Sequence, residues 1–239
     1  MKFKSHLQWM TSGRGRGRAL TLDDLIGHPV DGPDAVAVTF DDGFLNTRSA
    51  VETLLASGVP VTLFIVTGRV GGTNNWSTHG FADVPTLPLL GWDDIAHLAA
   101  RGAAIAAHTR SHTDLTRITA ERLDDELLGS RDDVKARIGV ETRHVAYPYG
   151  EVDHTVARHA AQYFQWGHAT DLRVMRGRED SLRLPRIDMY YFRSAGALES
   201  WGTAGFARRL AWYRARRAVR ARLVASTSAG TTRQGPPGV

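Results

Sequence analysis

Two adjacent carboxylates, Asp41 and Asp42, stand directly after the apolar run 35–40 and before Gly43. Consecutive residues of a strand face opposite ways, so both acids serve one site only if the strand ends there and the backbone turns, which Gly43 permits. Alone, Asp-Asp-Gly reads as a solvated turn. The segment His108-Thr109-Arg110-Ser111-His112 changes that reading, because it also follows an apolar run and carries two histidines four positions apart. Such a pair converges on one ion from a helical turn or a tight loop, although an isolated pair of this spacing is more often surface or core histidine. With Asp42 the histidines make a two-imidazole, one-carboxylate set that leaves coordination positions open for water and substrate. Asp41 then lies beside that water, where a general base belongs. Ala146-Tyr147-Pro148-Tyr149-Gly150 ends a further apolar run, and its loop offers backbone N–H groups to a site or is an ordinary turn. In Leu184-Pro185-Arg186-Ile187-Asp188 an arginine between apolar residues calls for a carboxylate partner if it is buried.

These segments need elements that bring them together. The runs at 35–40 (AVAVTF), 59–66 (VPVTLFIV), 103–107 (AAIAA) and 144–147 (HVAY) have the continuous hydrophobicity of parallel strands covered on both faces. Between them the spacing predicts helices over 46–57, 92–100, 119–138 and 152–162, the first three stopping at Gly58, Gly102 and Gly139. The alternation gives α/β architecture. It sets the first three segments at the carboxyl ends of predicted strands, where α/β folds collect functional groups.

Composition narrows the chemistry. The chain has 239 residues, 42% of them apolar and 23% charged, which fits one domain of roughly 200 residues plus a tail. Without cysteine there is no disulfide, thiolate nucleophile or cysteine-held metal, so a metal falls to His, Asp or Glu. No run approaches the roughly 18 apolar residues of a membrane span, and MKFKSHLQWM lacks a signal-peptide core, so a cytoplasmic protein is expected. The net charge of +5 is concentrated: residues 208–222 hold seven arginines and no acid. Phe206, Leu210, Tyr213 and Val219, with Trp212 and Leu223 nearby, recur at helical spacing and predict a basic helix within 201–224. It is expected to dock on the domain, the alternative being a nucleic-acid or membrane-surface contact, and residues 225–239 read as a disordered tail.

TFDDG at 39–43, HTRSH at 108–112 and AYPYG at 146–150 resemble, in kind and order, the main motifs of the polysaccharide deacetylase family, also called the NodB-homology domain or carbohydrate esterase family 4. Stretches at 60–68, 91–102, 126–139 and 184–187 extend the resemblance over roughly residues 3 to 195. It implies a distorted (β/α) barrel of about seven strands within residues 1–200, and hydrolytic removal of acetyl from an N-acetylated amino sugar. A small soluble glycoside or glycoconjugate is expected ahead of an N-acetylglucosamine-containing polysaccharide. An inactive carbohydrate- or anion-binding module is the rival from another class, and no nucleic-acid partner is expected. Asp42, His108 and His112 resemble the family's metal set, for zinc first and cobalt, nickel or iron as alternatives, and Asp41 resembles the catalytic base. Tyr149 matches the residue whose backbone N–H helps to hold the oxyanion.

Three departures accompany the match. Val145 and Ala146 stand where relatives carry an arginine that orients the base, which makes Arg186 the candidate replacement. The late histidine of a Leu-x-His motif is missing, because the last histidine is His168; the proton for the leaving amine is then left to Asp41, His168 or water. The helix resembled by residues 3–10 lacks the strand that usually precedes it. Trp76 and Trp166 are candidates for stacking on a sugar, with Trp92 better suited to the core, and Asp171 and Asp188 are weaker candidates for substrate contact. His28, His79, His97, His144, His154 and His159 carry no spacing argument and default to structural or surface roles.

Overall fold

The computed structural model describes residues 2–11, 18–27, 35–76, 85–194 and 196–230, without the side chains of Lys2 and 220–230. His28, His79 and residues 231–239 of the expected tail lie outside the described residues. In chain order the main elements are α1 (Lys2–Thr11), β1 (Arg18–Ala19), α2 (Leu22–Gly27), β2 (Ala35–Val36), β3 (Val38–Phe40), α3 (Arg48–Ala56) and β4 (Val61–Ile65). They continue with α4 (Trp92–Ala100), β5 (Ala104–Ala107), α5 (Ala120–Ile138), β6 (His144–Ala146), α6 (His154–Ala160), β7 (Trp166–His168) and α7 (Ala204–Gly230).

Strands β3 to β7 form one five-stranded sheet in sequential order, every pairing parallel, and β1 and β2 form a separate parallel pair. Sequential parallel order with intervening helices curls the sheet into a distorted (β/α) barrel, the expected fold class. All five residues of β4 are buried, as a strand covered on both faces requires. Outside the sheet, Val51 and Leu54 of α3, Ile95 and Leu98 of α4 and Val134 of α5 pack on Val61, Leu63, Ile65 and Ile105. Inside, Leu22, Phe64, Ala106 and Ala146 meet, so Phe64 fills a narrow lumen lined by small residues.

The helices follow their signals. Gly91 N–H donates to Asp94 Oδ2 at 3.0 Å and starts α4, while Gly139, at φ 75°, ends α5 with its N–H on Lys135 O. One expected strand differs: the run 35–40 is divided at Ala37 into β2, paired with β1, and β3, paired with β4. An apolar run specifies burial and not partner, so a strand that changes sheets reads as continuous. Strand β7 was missed, since Trp-Gly-His is too short and mixed to show a pattern.

Helix α7 packs Phe206 and Leu210, 2% and 5% exposed, with Phe192, Leu172 and Leu198. Val219 was expected on this face but is 57% exposed, because nine residues beyond Leu210 a helix has turned to its far side. The helix runs to Gly230, into the segment read as tail. Phe206→Ala is expected to destabilise the protein by about 3–5 kcal/mol in chemical denaturation, whereas the exposed Trp212→Ala stays within about 0.5 kcal/mol. Equal effects would mean that α7 is not docked through Phe206.

Candidate active site

The two acids and the two histidines leave the ends of β3 and β5, the strands on either side of β4, on turns that ordinary residues avoid. After β3, Asp42 takes φ 70° and Gly43 φ 76°, which breaks the strand's alternation just where both carboxylates need one side. After β5, Thr109 and His112 take φ 63° and 60°, with His112 N–H donating to Thr109 Oγ1 at 3.1 Å. Left-handed conformations of this kind cost about 1–3 kcal/mol each and persist where neighbours over-determine them.

Helix α5 supplies those neighbours. Glu126, 2% exposed, accepts the backbone N–H groups of Arg110 and Ser111, both at 2.9 Å, and the Ser111 hydroxyl. Arg110 forks onto Asp133 with bonds of 3.0 and 2.9 Å and reaches Asp125 at 2.5 Å. A Cβ on Gly129 would lie 2.5 Å from the Arg110 guanidinium. The sequence reading missed Glu126 and Asp133. Their signal was available as a stripe, Glu126, Gly129 and Asp133 at i, i+3 and i+7, facing a loop that carries an arginine.

His108 Nε2 and His112 Nε2 each lie 3.2 Å from Asp42 Oδ1, and one ligand atom from each of these three residues falls within 4.8 Å of the others. His108 Nδ1 is 2.7 Å from Ala146 O, a carbonyl that can only accept, so Nδ1 carries the proton and a neutral His108 turns a lone pair at the Asp42 oxygen. Two lone pairs at that distance repel unless a proton or a cation lies between them. Burial would raise the Asp42 carboxyl, but hydrogen bonds from His108 and His112 hold it below the usual carboxylate range. Burial keeps His112 below the ordinary imidazole value, the neutral form that ligates, and its Nδ1 is buried without a partner among the described residues. The donor set fits a divalent cation.

Asp41 has a different partner. Arg186 Nη1 and Nη2 donate to its two oxygens at 2.6 and 2.8 Å, while Arg186 Nε donates to Ala169 O at 3.2 Å and the guanidinium lies over Phe64. Burial would raise the Asp41 carboxyl, but the Arg186 charge and fork hold it low and ionised. Tyr149 comes from the turn after β6 at φ 61° and sets its ring edge-on to His112 at 4.7 Å. Burial, with Asp42 and Asp114 nearby, pushes its hydroxyl up to about 12. A Cβ on Gly150 would fall 2.0 Å from Thr170 Oγ1, so this turn requires glycine. Thr170 in turn receives Arg217 of α7 at 2.6 Å on its carbonyl and 2.8 Å on its hydroxyl.

Asp41, Asp42, His108, His112, Tyr149 and Arg186 are thus brought together, and Trp76 joins them by stacking on His112 at 4.5 Å. His168 does not. It is buried against Phe64, with Nε2 3.0 Å from His144 Nδ1, and burial holds its imidazole well below the ordinary value. Trp92 packs in the outer core and Trp166 opens β7. Asp171 lies near Arg173, and Asp188 caps the turn Met189–Phe192.

Residues 29–164, more than half of the chain, match the family model for polysaccharide deacetylase. A Streptomyces coelicolor protein described as uncharacterised is 29% identical over 146 residues, 61% of this chain and 51% of that protein. The chain therefore spans about half the length of this curated relative. Among solved structures, the Streptococcus pyogenes deacetylase PplD in complex with acetate matches at TM-score 0.65 and 22% identity, over 78% of this chain and 79% of that one. A Bacillus cereus polysaccharide deacetylase gives 0.63 and 22%, over 78% and 56%. IcaB from Ammonifex degensii gives 0.61 and 24%, over 77% and 81%. At these identities the structures speak for the fold.

Calorimetric titration with zinc or cobalt is expected to show one site that Asp42→Asn or His112→Ala abolishes and Asp41→Asn leaves within a few-fold. Glu126→Gln, which touches no ligand atom, should weaken it about 10- to 100-fold by loosening the histidine loop. Unchanged affinity in Asp42→Asn would refute the ligand set.

Proposed function

Because the chain belongs to the polysaccharide deacetylase family, we propose that it is a metal-dependent hydrolase that removes acetyl from the nitrogen of an amino sugar. The observation that carries this reading is the division of labour between the paired acids: Asp42 faces two histidines, and Asp41 is held by Arg186. Asp42, His108 and His112 would hold the cation, zinc first by ligand type, with cobalt, nickel or iron as alternatives. When bound, it supplies Lewis acidity, which acidifies water towards a pKa of about 7 and polarises an amide carbonyl.

The chain's own residues do the rest. Asp41 accepts the proton of the attacking water. Its lowered pKa makes it a modest base, which suffices for acidified water, and a willing donor once protonated. The same carboxyl can therefore return the proton to the leaving nitrogen as the C–N bond breaks, giving acetate and the free amine. His168, sealed in the lumen and bonded to His144, is unsuited to that role. Tyr149 is assigned the backbone N–H that meets the carbonyl oxygen as it gains charge, on the support of its place in the third motif and its turn beside His112. Arg186 is a positioning residue that keeps Asp41 ionised and aimed.

For substrate we favour a small N-acetylated glycoside or glycoconjugate, with Trp76 beside His112 as the surface for one sugar ring. A cytoplasmic setting goes with that substrate. The family's description favours the alternative, an N-acetylglucosamine-containing polysaccharide, with the same chemistry. An inactive binding module would have no need to hold Asp41 ionised beside a complete ligand set.

Acetate release from a panel of N-acetylated monosaccharide glycosides and longer oligomers is the test, and chelation should abolish it. Asp41→Asn should lower kcat by about 100- to 10,000-fold; full activity in a verified apoprotein would end the proposal. Arg186→Met should lower kcat by about 10- to 100-fold with little change in KM. Arg186 depresses the Asp41 pKa, so its loss raises that pKa, and the acid limb of the pH profile must move to higher pH. An unmoved limb would return Arg186 to a purely structural role.

A further inference from the structure

Helix α7 has two faces, and docking uses one of them. Phe206, Leu210 and Tyr213 turn towards the domain. Arg208, Trp212, Arg216 and Val219, spaced by four, four and three residues, share the opposite side, and all four are exposed. The four most exposed large apolar side chains among the described residues are Tyr190 at 60%, Val219 at 57%, Trp212 at 53% and Met189 at 40%. All four come from α7 or from the short turn Met189–Phe192 against which α7 packs.

Two of them, Tyr190 and Trp212, are linked through the partly buried rings of Tyr191 and Tyr213. Tyr190, Tyr191, Tyr213 and Trp212 make a row of ring contacts with centroids 5.4, 4.8 and 5.0 Å apart. Each end of the row carries an arginine over its ring, Arg193 on Tyr190 at 4.1 Å and Arg216 on Trp212 at 4.6 Å. Beyond Glu199 the sequence has no Asp or Glu, and on this face Arg208 and Arg216 are exposed without a carboxylate partner among the described residues.

We propose that this face of α7, with the adjoining turn Met189–Phe192, docks the protein on an anionic phospholipid bilayer. Amphipathic Tyr and Trp rings suit the headgroup level, Met189 and Val219 have apolar ends to bury there, and arginines find the lipid phosphates. Nucleic acid matches the charge and could stack on the rings, but it gives the exposed Met189 and Val219 nothing to enter. No described helix is long and apolar enough to cross a membrane, so the contact is peripheral. One face of the helix stays on the domain, so only side chains enter the headgroups. Binding should accordingly be reversible and salt-sensitive.

Flotation of the full chain with phosphatidylcholine vesicles, with and without phosphatidylglycerol, tests this. The protein should float only with the anionic vesicles and come off as salt rises. Trp212→Ser with Val219→Ser should lower partitioning about tenfold. The double change of Arg208 and Arg216 to Gln should lower it about thirtyfold, and to Lys should largely preserve it. Melting temperatures identify any variant that fails to fold; the remaining variants then decide. Equal binding to neutral vesicles, unchanged binding in folded Gln variants, or salt-sensitive binding to an oligonucleotide with none to vesicles would each overturn the proposal. The assay uses no substrate, so its outcome is independent of the deacetylase reading.

Discussion

The Arg186–Asp41 pair is the contact on which the site and the barrel both depend. Strands β3 and β7 are the two outer strands of the five-stranded sheet. Asp41 follows the first, and Arg186 lies on the segment after the second, which continues the sheet through a parallel bridge between His168 and Leu184. A bidentate fork between them joins the two edges of a curled sheet, and its side chains are only 14% and 33% exposed. A guanidinium in such a place costs several kcal/mol in lost hydration unless it is fully paired. Here Asp41, Ala169 O and the face of Phe64 surround it. The tie that closes the fold therefore also sets the charge and direction of the base.

The second constraint is backbone geometry. Asp42, Thr109, His112 and Tyr149 all sit in the left-handed region, which is unfavourable for each of them and places the ends of β3, β5 and β6 around one point. Their support lies behind the loops. Glu126 and Asp133 grip the histidine loop from α5, and Thr170 fills the space above Gly150 that any side chain there would need. Local strain at the chemistry is offset by satisfied hydrogen bonds one layer out.

That layering explains what was legible in the sequence. Asp41, Asp42, His108 and His112 announce themselves by local spacing, and strand ends give them a common location. Arg186 could be read because an arginine between Leu-Pro and Ile must find a carboxylate. Glu126 and Asp133 were harder, since acids on a charged helix look like a solvated face until the loop they hold is known. The division at Ala37 left no trace, because apolar residues record burial and not which strand lies alongside. Val219 was misplaced because helical spacing was counted in approximate steps, and nine residues past Leu210 is the opposite side of a helix.

Helix α7 connects the periphery to the site through Arg217, which faces inward and bonds both the carbonyl and hydroxyl of Thr170. Thr170 is the residue against which the Tyr149–Gly150 turn is packed, its hydroxyl 3.4 Å from Tyr149 O. One helix therefore presents its inner face to the turn beside His112 and its outer face to whatever lies outside. A rigid helix fixed at its inner face by Phe206 and Leu210 cannot reorient the outer one independently. Any surface that captures Trp212 and Val219 consequently meets the active site in one orientation, set by the same contacts that hold the Tyr149 turn.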